Sequence, residues 1–333
     1  MICDDDTAMK LHRRRLLQLA AGAAALPALA RRARAQAYPS RPITIVVPLP
    51  PGGAYDLLAR LLAEPMRTSL GQPVLVENIP GADRGIIKVV RAAPDGYTLG
   101  IGGWNTYVLR PAVFPMQHDL LKELEPIAFL ADSPYWIISK NAVPAKNLAE
   151  LITWLKANPG TATAGSIAGG GSHVCGAYLQ NSTGTKFQLV PYRGGAPALQ
   201  DLVAGQIDFM CDFAANSLEQ FRSGKVRAYA VMAKHRWYAA PEIPTADEAG
   251  LPGFYISNWS GLWAPAGTPQ DIIGKLNAAI VAALADATIR KRYLDLGQEM
   301  PPVAQQTPQA LRDLHKAEVE KWFPIVEAAG IRG

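Results

Sequence analysis

Cysteine is scarce in this 333-residue chain: of three, only Cys175 and Cys211 lie beyond the first 35 residues. Two cysteines are too few for a disulfide framework. The chain has no C-x-x-C, H-E-x-x-H or calcium-loop spacing, so a metal enzyme is a weaker reading still than a hydrolase. No Lys-Ser/Thr pair follows a glycine-rich turn and no G-x-G-x-x-G occurs, which excludes the nucleotide and dinucleotide loops. Catalytic patterning is equally thin. The nearest hydrolase-like element is Ala164-Gly165-Ser166-Ile167-Ala168, with alanine at both glycine positions of a nucleophile elbow. His235 and His315 could complete a triad only from outside the predicted cleft loops, so an exported serine hydrolase is a weak reading. A run long enough to span a bilayer, roughly 20 apolar residues, is missing as well.

The longest apolar stretch, Leu16 to Leu29, follows Arg13-Arg14-Arg15 and precedes the small-x-small site Ala33-Arg34-Ala35. That order reads as an export signal over residues 1–35, of twin-arginine or general secretory type, with Met1 or Met9 as the start. The expected destination is the periplasm, with no stable membrane insertion. Residues 1–35 hold seven of the 33 Lys and Arg and three of the 28 Asp and Glu, leaving a net charge near +1 on the rest. The basic character belongs to the leader and is no argument for a nucleic-acid partner. In an exported chain Cys175 and Cys211 can pair, pack as buried free thiols or ligate a metal, and the sequence leaves these open.

The most informative segment present is Ile43 to Asp56, ITIVVPLPPGGAYD. Ile43 to Val47 are mostly β-branched, as in a strand covered on both faces. Pro48, Pro50 and Pro51 stop the strand, and Gly52 and Gly53 let backbone approach a ligand closely. Leu57, Leu58, Leu61 and Leu62 then recur at helical spacing. The first N–H groups of such a helix lack intrahelical partners and sit at its positive end, so the junction suits a carboxylate or phosphate. A tight turn with no ligand is the alternative.

Around it the pattern predicts strand 43–47, helix 54–70, strand 74–77, a short helix near 86–92 and strand 97–101, a βαβαβ run with a parallel sheet. Ile127 to Ser139 is one long extended stretch. A second series follows: helix 147–157, strand 161–165, helix 174–183, strand 187–191, helix 196–204, strand 206–210, helix 216–223 and strand 227–233. Helices 269–285, 286–296 and 307–329 close the chain, two of them announced by Thr268-Pro269 and Thr307-Pro308. The expected architecture is α/β with two lobes joined by two crossings and a cleft at the carboxyl ends of the strands.

In this order, YPSRPITIVVPLPPGGAYD, APDGYTLGIG (Ala93 to Gly102), VPYRGGAPALQDLVAGQIDFMCD (Val190 to Asp212), KVRAYAV (Lys225 to Val231), GLWAPAGTP (Gly261 to Pro269) and the terminal AAGI resemble the periplasmic receptors of tripartite tricarboxylate transporters, the Bug-type receptors. The resemblance covers nearly all of residues 38–331. It implies a type II-like periplasmic binding protein, monomeric and without cofactor, that closes on a small carboxylate and delivers it to inner-membrane permease subunits. The lobes are then expected at 38–137 plus 261–333 and at 138–260.

Carried over residue by residue, the resemblance gives the first lobe Pro50, Pro51, Gly52, Gly53, Tyr55 and Asp56, with Asp56 orienting the loop or capping the helix, and Trp104, Asn105 and Thr106. The second lobe offers Ser166, Gly169, Gly170, Gly171, Ser172 and His173, with Arg193 for a distal carboxylate and Asp212 for a hydroxyl or amine. Asp83-Arg84 replaces the family's glycine-rich turn. Tyr55 and Trp104 are bulkier than usual and with Trp259 form either an aromatic wall for a ring-bearing acid or ordinary packing. Closure is expected when one ligand bridges the Pro50–Gly53 and Gly169–His173 loops. A receptor that presents its closed form to a signalling partner is the alternative within the binding class.

Overall fold

The computed structural model describes residues 38–114 and 116–332. The expected leader at 1–35, with Cys3 and both candidate starts, lies outside the described residues. Beyond it, Pro42–Gly333 is one unit built on two five-stranded sheets. Strands β1 (Ile43–Val47), β2 (Val74–Asn78), β3 (Thr98–Gly103) and β4 (Leu124–Ala131) belong to the first. Strands β5 (Tyr135–Lys140), β6 (Thr163–Ile167), β7 (Gln188–Tyr192), β8 (Phe209–Phe213) and β9 (Val226–Val231) make the second, and β10 (Ser260–Pro265) returns to the first. The orders are β2-β1-β3-β10-β4 and β7-β6-β8-β5-β9.

The parallel core of each sheet follows from its βα units: β1 pairs in parallel with β2 and β3, and β6 with β7 and β8. Neither sheet is wholly parallel, however. β10 runs antiparallel between β3 and β4, and β5 antiparallel between β8 and β9. The long extended run Ile127 to Ser139 is thus two strands in different sheets. They are separated at 132–134, where Asp132 pairs with Glu299 and Pro134 with Ser257. A continuous apolar run does not reveal where its hydrogen-bond partners change, because both halves are buried alike.

Helix α1 (Ala54–Leu70) covers β1 with Leu58, Leu62, Met66 and Leu70, one buried residue per turn. It ends at Gly71 in the left-handed conformation, whose N–H donates to the Arg67 carbonyl. Helix α2 (Ala82–Val90) begins four residues earlier than expected: Asp83 and Arg84 are its first turn, and Asp83 sits at the favourable end of the helix dipole. A turn of π-helix over Trp104–Leu109, which periodicity did not anticipate, leads into α3 (Arg110–Val113), and α4 (Leu120–Glu123) precedes β4. The second sheet carries α5 (Leu148–Ala157), α6 (Gly171–Thr183), α7 (Gly195–Val203) and α8 (Ala214–Arg222). The last helices are α9 (Gln270–Ala285), α10 (Ala287–Asp295) and α11 (Pro308–Ala328). Among the described residues no single helix is long and apolar enough to cross a membrane, and the bent pair α9–α10 passes only when joined. Helix α9 buries Ile273, Leu276, Ile280 and Leu284 in the protein.

Two differences move site residues. β8 starts at Phe209, not Gln206, since 204–208 form a turn pinned by the Asp208 carboxylate, which accepts from the Thr163 N–H at 2.7 Å. Asp212 therefore lies within the strand's end. Cys175 on α6 and Cys211 on β8 form a disulfide, with their Cα atoms 6.3 Å apart, which resolves the alternatives the sequence left open.

Candidate ligand cleft

The strand–Pro/Gly–helix junction has the form its residues dictate. Gly52 has a φ of +88°, which a side chain strains, and Gly53 is the N-cap of α1 with no capping side chain. Asp56 is spent inside the loop. Its Oδ2 accepts from the Gly52 N–H at 2.8 Å and its Oδ1 from Arg60 Nε at 3.0 Å. Burial pushes this carboxyl up, but the Arg60 guanidinium, the Gly52 N–H and the Asn78 amide together hold it below the usual carboxylate range. Pro50, Pro51, Gly52 and Gly53 are exposed, and Gly52 and Gly53 line a cavity of about 810 Å³.

That cavity has walls from both sheets' elements. Ala54, Leu57 and Leu58 come from α1; Ala215, Asn216, Leu218 and Arg222 from α8; Ser133 and Asn258 from the two crossing segments; and 294–298 from the end of α10. Beside its floor runs a polar chain. Tyr55 Oη donates to Asn258 Oδ1 at 3.1 Å, Asn105 Nδ2 donates to the same oxygen at 3.0 Å, and the Asn258 N–H donates to the Ser133 carbonyl at 2.8 Å. Asn105 also reaches the Tyr135 hydroxyl. Thr106 closes its own turn, Oγ1 accepting from the Gly103 N–H at 3.0 Å. Burial raises the Tyr55 and Tyr135 phenols, so both stay neutral donors.

Asp212 sits 5% exposed at the end of β8. Ser217 Oγ donates to its Oδ2 at 2.7 Å and Asn216 Nδ2 to its Oδ1 at 3.3 Å, while Trp136 Nε1 donates to Ser217 Oγ at 2.9 Å. Burial outweighs these bonds and pushes the carboxyl up to about 6. Its neighbours Phe213 and Asn216 line the cavity, whereas Asp212 itself does not.

The second-lobe glycine loop is arranged otherwise than expected. The Ser172 hydroxyl accepts from the Ile167 N–H at 2.8 Å, and His173 Nδ1 accepts from the Gly169 N–H at 3.2 Å. Burial lowers the His173 imidazole, favouring the neutral form that this bond requires. Gly169 lies against Phe114 and Val113, Gly170 is the N-cap of α6, and Gly171 lies against Trp104 and Tyr135. None of Gly169 to His173 lines the cavity. Trp104, wholly buried, packs edge-on to Tyr135 and Trp322, occupying the space beside that loop. Trp259 is also buried, against Trp263 and His315, with Nε1 donating to Glu318 at 3.3 Å. The geometry of Tyr55, Trp104 and Trp259 is that of packing, not of an aromatic wall facing the cavity.

Ser166 is buried with its hydroxyl donating to the Val190 carbonyl at 3.4 Å, and Arg193 is exposed and outside the cavity. The cationic side chain on the cavity wall is Arg222, which sequence reasoning missed together with Asn216 and Asn258. Asn216 carried one usable signal, its position four residues after Asp212 at a helix start. Arg222 and Asn258 carried none, since tertiary packing alone brings them to the wall.

Residues 58–331 match the family described as tripartite tricarboxylate transporter family receptor. A protein of Agrobacterium vitis, named for the ttuE-ttuC' intergenic region, is 40% identical over 301 residues, covering 88% of this chain and 86% of its own length. Among solved structures, MatC of Rhodopseudomonas palustris, with bound malate, is 38% identical with a TM-score of 0.73, covering 87% of this chain and all of that one. An R. palustris protein solved with adipate is 29% identical with a TM-score of 0.75, covering 89% of this chain and 99% of its own. A further solved relative, the periplasmic binding protein BugD, is 37% identical with a TM-score of 0.73, covering 89% of this chain and 99% of its own; in this chain Ser166 is bonded to backbone and His315 to the Tyr107 carbonyl. With its two α/β sheets, its two crossings and its glycine-lined cleft, the chain belongs to the family of tripartite tricarboxylate transporter receptors, which are periplasmic solute-binding proteins.

Proposed function

We propose that this protein is the exported receptor that captures a small carboxylate between lobes 38–137 plus 261–333 and 138–260 and delivers it to membrane permease subunits. The observation that carries this reading is the start of α1 at Gly53, which has no capping side chain, beside a Gly52 N–H held by Asp56, opening onto a cavity walled from both sheets. Backbone N–H groups at that end stabilise a carboxylate. The ligands of two relatives, malate and adipate, support the class. Contacts available only when both walls touch one ligand would shift the population toward closure. Because Gly169 to His173 lie off the cavity, the second-lobe partners in this reading are Asn216 and Arg222.

A thermal-shift panel of mono-, di-, tri- and aromatic carboxylates tests it. Ligand at about 100 times its Kd adds about 2.7 kcal/mol, or roughly 5–10 °C. Gly53→Leu is expected to abolish the shift without lowering the unliganded midpoint, because a Cβ there meets only the Pro50 carbonyl, at 3.9 Å. No shift with any acid rejects the carboxylate reading.

A further inference from the structure

A pocket of about 300 Å³ lies where the π-helical turn Trp104–Leu109, α3, α4 and α11 meet, and it shares no lining residue with the cleft cavity. Its walls are mostly apolar. Pro111 comes from α3, Leu120 and Leu121 from α4, and Val319 and Phe323 from α11, where positions 315, 319 and 323 recur four apart on a single face. Ligand pockets run from roughly 300 to 1,000 Å³, so this one is at the small end and suits a molecule of a single ring.

The deeply buried polar group in this apolar setting is His315, 2% exposed on α11. Its Nε2 lies 3.2 Å from the Tyr107 carbonyl, which can only accept, so Nε2 carries the ring proton. Nδ1 is then a bare acceptor. Among the described residues it has no hydrogen-bond partner, and it is not one of the sealed polar atoms, so it reaches the space of the pocket that His315 lines. Burial lowers the imidazole to about 4, which keeps the ring neutral and that lone pair available near neutral pH. A buried acceptor of this kind is stabilised by a donor that a ligand brings to it.

We propose that this pocket is a second ligand site, for a small neutral aromatic alcohol of the phenol class, whose hydroxyl donates to His315 Nδ1 while its ring packs on Leu121, Val319 and Phe323. The same chemistry turns away the acids expected in the cleft. A carboxylate has no proton to give Nδ1, no Lys or Arg lines the pocket, and the Asp119 carboxylate borders it. An ammonium would carry its charge into apolar walls, which is costly. The site stands apart from the carboxylate-receptor reading and does not depend on it.

The test is nuclear magnetic resonance of the purified receptor carrying nitrogen-15-labelled histidine, titrated with phenol and with anisole, a ring of similar size whose oxygen bears no proton. Phenol is expected to move the His315 Nδ1 resonance along a saturable curve, and anisole to bind about tenfold more weakly. His315→Gln identifies the signal by its loss. Val319→Phe, at a half-buried wall position, should fill the pocket and weaken phenol by about tenfold or more, and a His315 resonance in its parent position before phenol is added shows that this variant folds. An Nδ1 resonance that phenol does not move, anisole binding as tightly as phenol, or phenol binding unchanged in Val319→Phe overturns the proposal. Failure of the carboxylate panel bears on the cleft alone.

Discussion

Asp212 shows how one buried side chain sets a pH dependence. Its carboxyl is pushed up from 3.8 to about 6 by burial, so the folded protein keeps this proton after the unfolded chain has lost it. The contribution to stability therefore falls as pH rises from about 4 to about 6 and is constant above, by as much as about 3 kcal/mol. In Asp212→Asn that loss is absent. Urea unfolding of the two proteins at about pH 4 and pH 7 should show the variant gaining on the parent at the higher pH. An equal difference at both would mean that the carboxylate is solvated. Asn retains an oxygen for the Ser217 hydroxyl, so the Trp136–Ser217 relay survives the substitution.

At the scale of elements, the start of α6 packs tightly against Trp104, which follows β3 of the first sheet, and Tyr135 on β5. A Cβ at Gly171 would lie 2.7 Å from Trp104 and nearer still to the Tyr135 hydroxyl. Gly171→Ala should cost about 1–3 kcal/mol by overpacking, measured by denaturant unfolding. Gly194→Ala is the control. Gly194 is extended, nothing lies within 4 Å of its added Cβ, and its midpoint should not move. The same helix is tied to β8 by Cys175–Cys211 across 36 residues of chain. Closing a loop of that length removes about 4 kcal/mol of unfolded-state entropy in the chain-entropy model. Unfolding with and without reductant should differ by a large part of that amount, and coincident curves would show the bond to be energetically idle.

For the whole molecule, the closure proposed above would be favoured by contacts that join elements of the two sheets beside the cavity. The hydroxyl of Tyr238, after the second sheet, donates to the Leu294 carbonyl at the end of α10 at 2.6 Å. Both residues are exposed, so the bond is modest, about 0.5–1.5 kcal/mol. Tyr238→Phe removes it while keeping the ring beside the cavity. The expected result is an adipate affinity lower by roughly two- to tenfold with the unliganded unfolding midpoint unchanged. A midpoint that falls without loss of affinity would assign the bond to folding and not to closure.

The sequence by itself determined the βα units, the Pro/Gly junction at Gly52–Gly53 and the family, because strand and helix periods, turn residues and ordered motifs are local properties of the chain. It also placed most helices within a few residues. It did not show that Ile127 to Ser139 leaves one sheet for the other, or that β10 and β5 turn parallel sheets into mixed ones. Strand partners are chosen by distant segments, and an apolar run reads the same whichever partner it takes. The cleft divides in the same way. Gly52 and Gly53 face the cavity by virtue of their own turn, whereas Gly169 to His173 share that glycine-rich chemistry yet lie against Phe114 and Trp104. Asn258 and Arg222 reach the cavity through a crossing segment and the last turn of α8. Only the tertiary structure decided those positions, because which face of a helix or loop meets the cleft is set by how two sheets pack, and no residue encodes that alone.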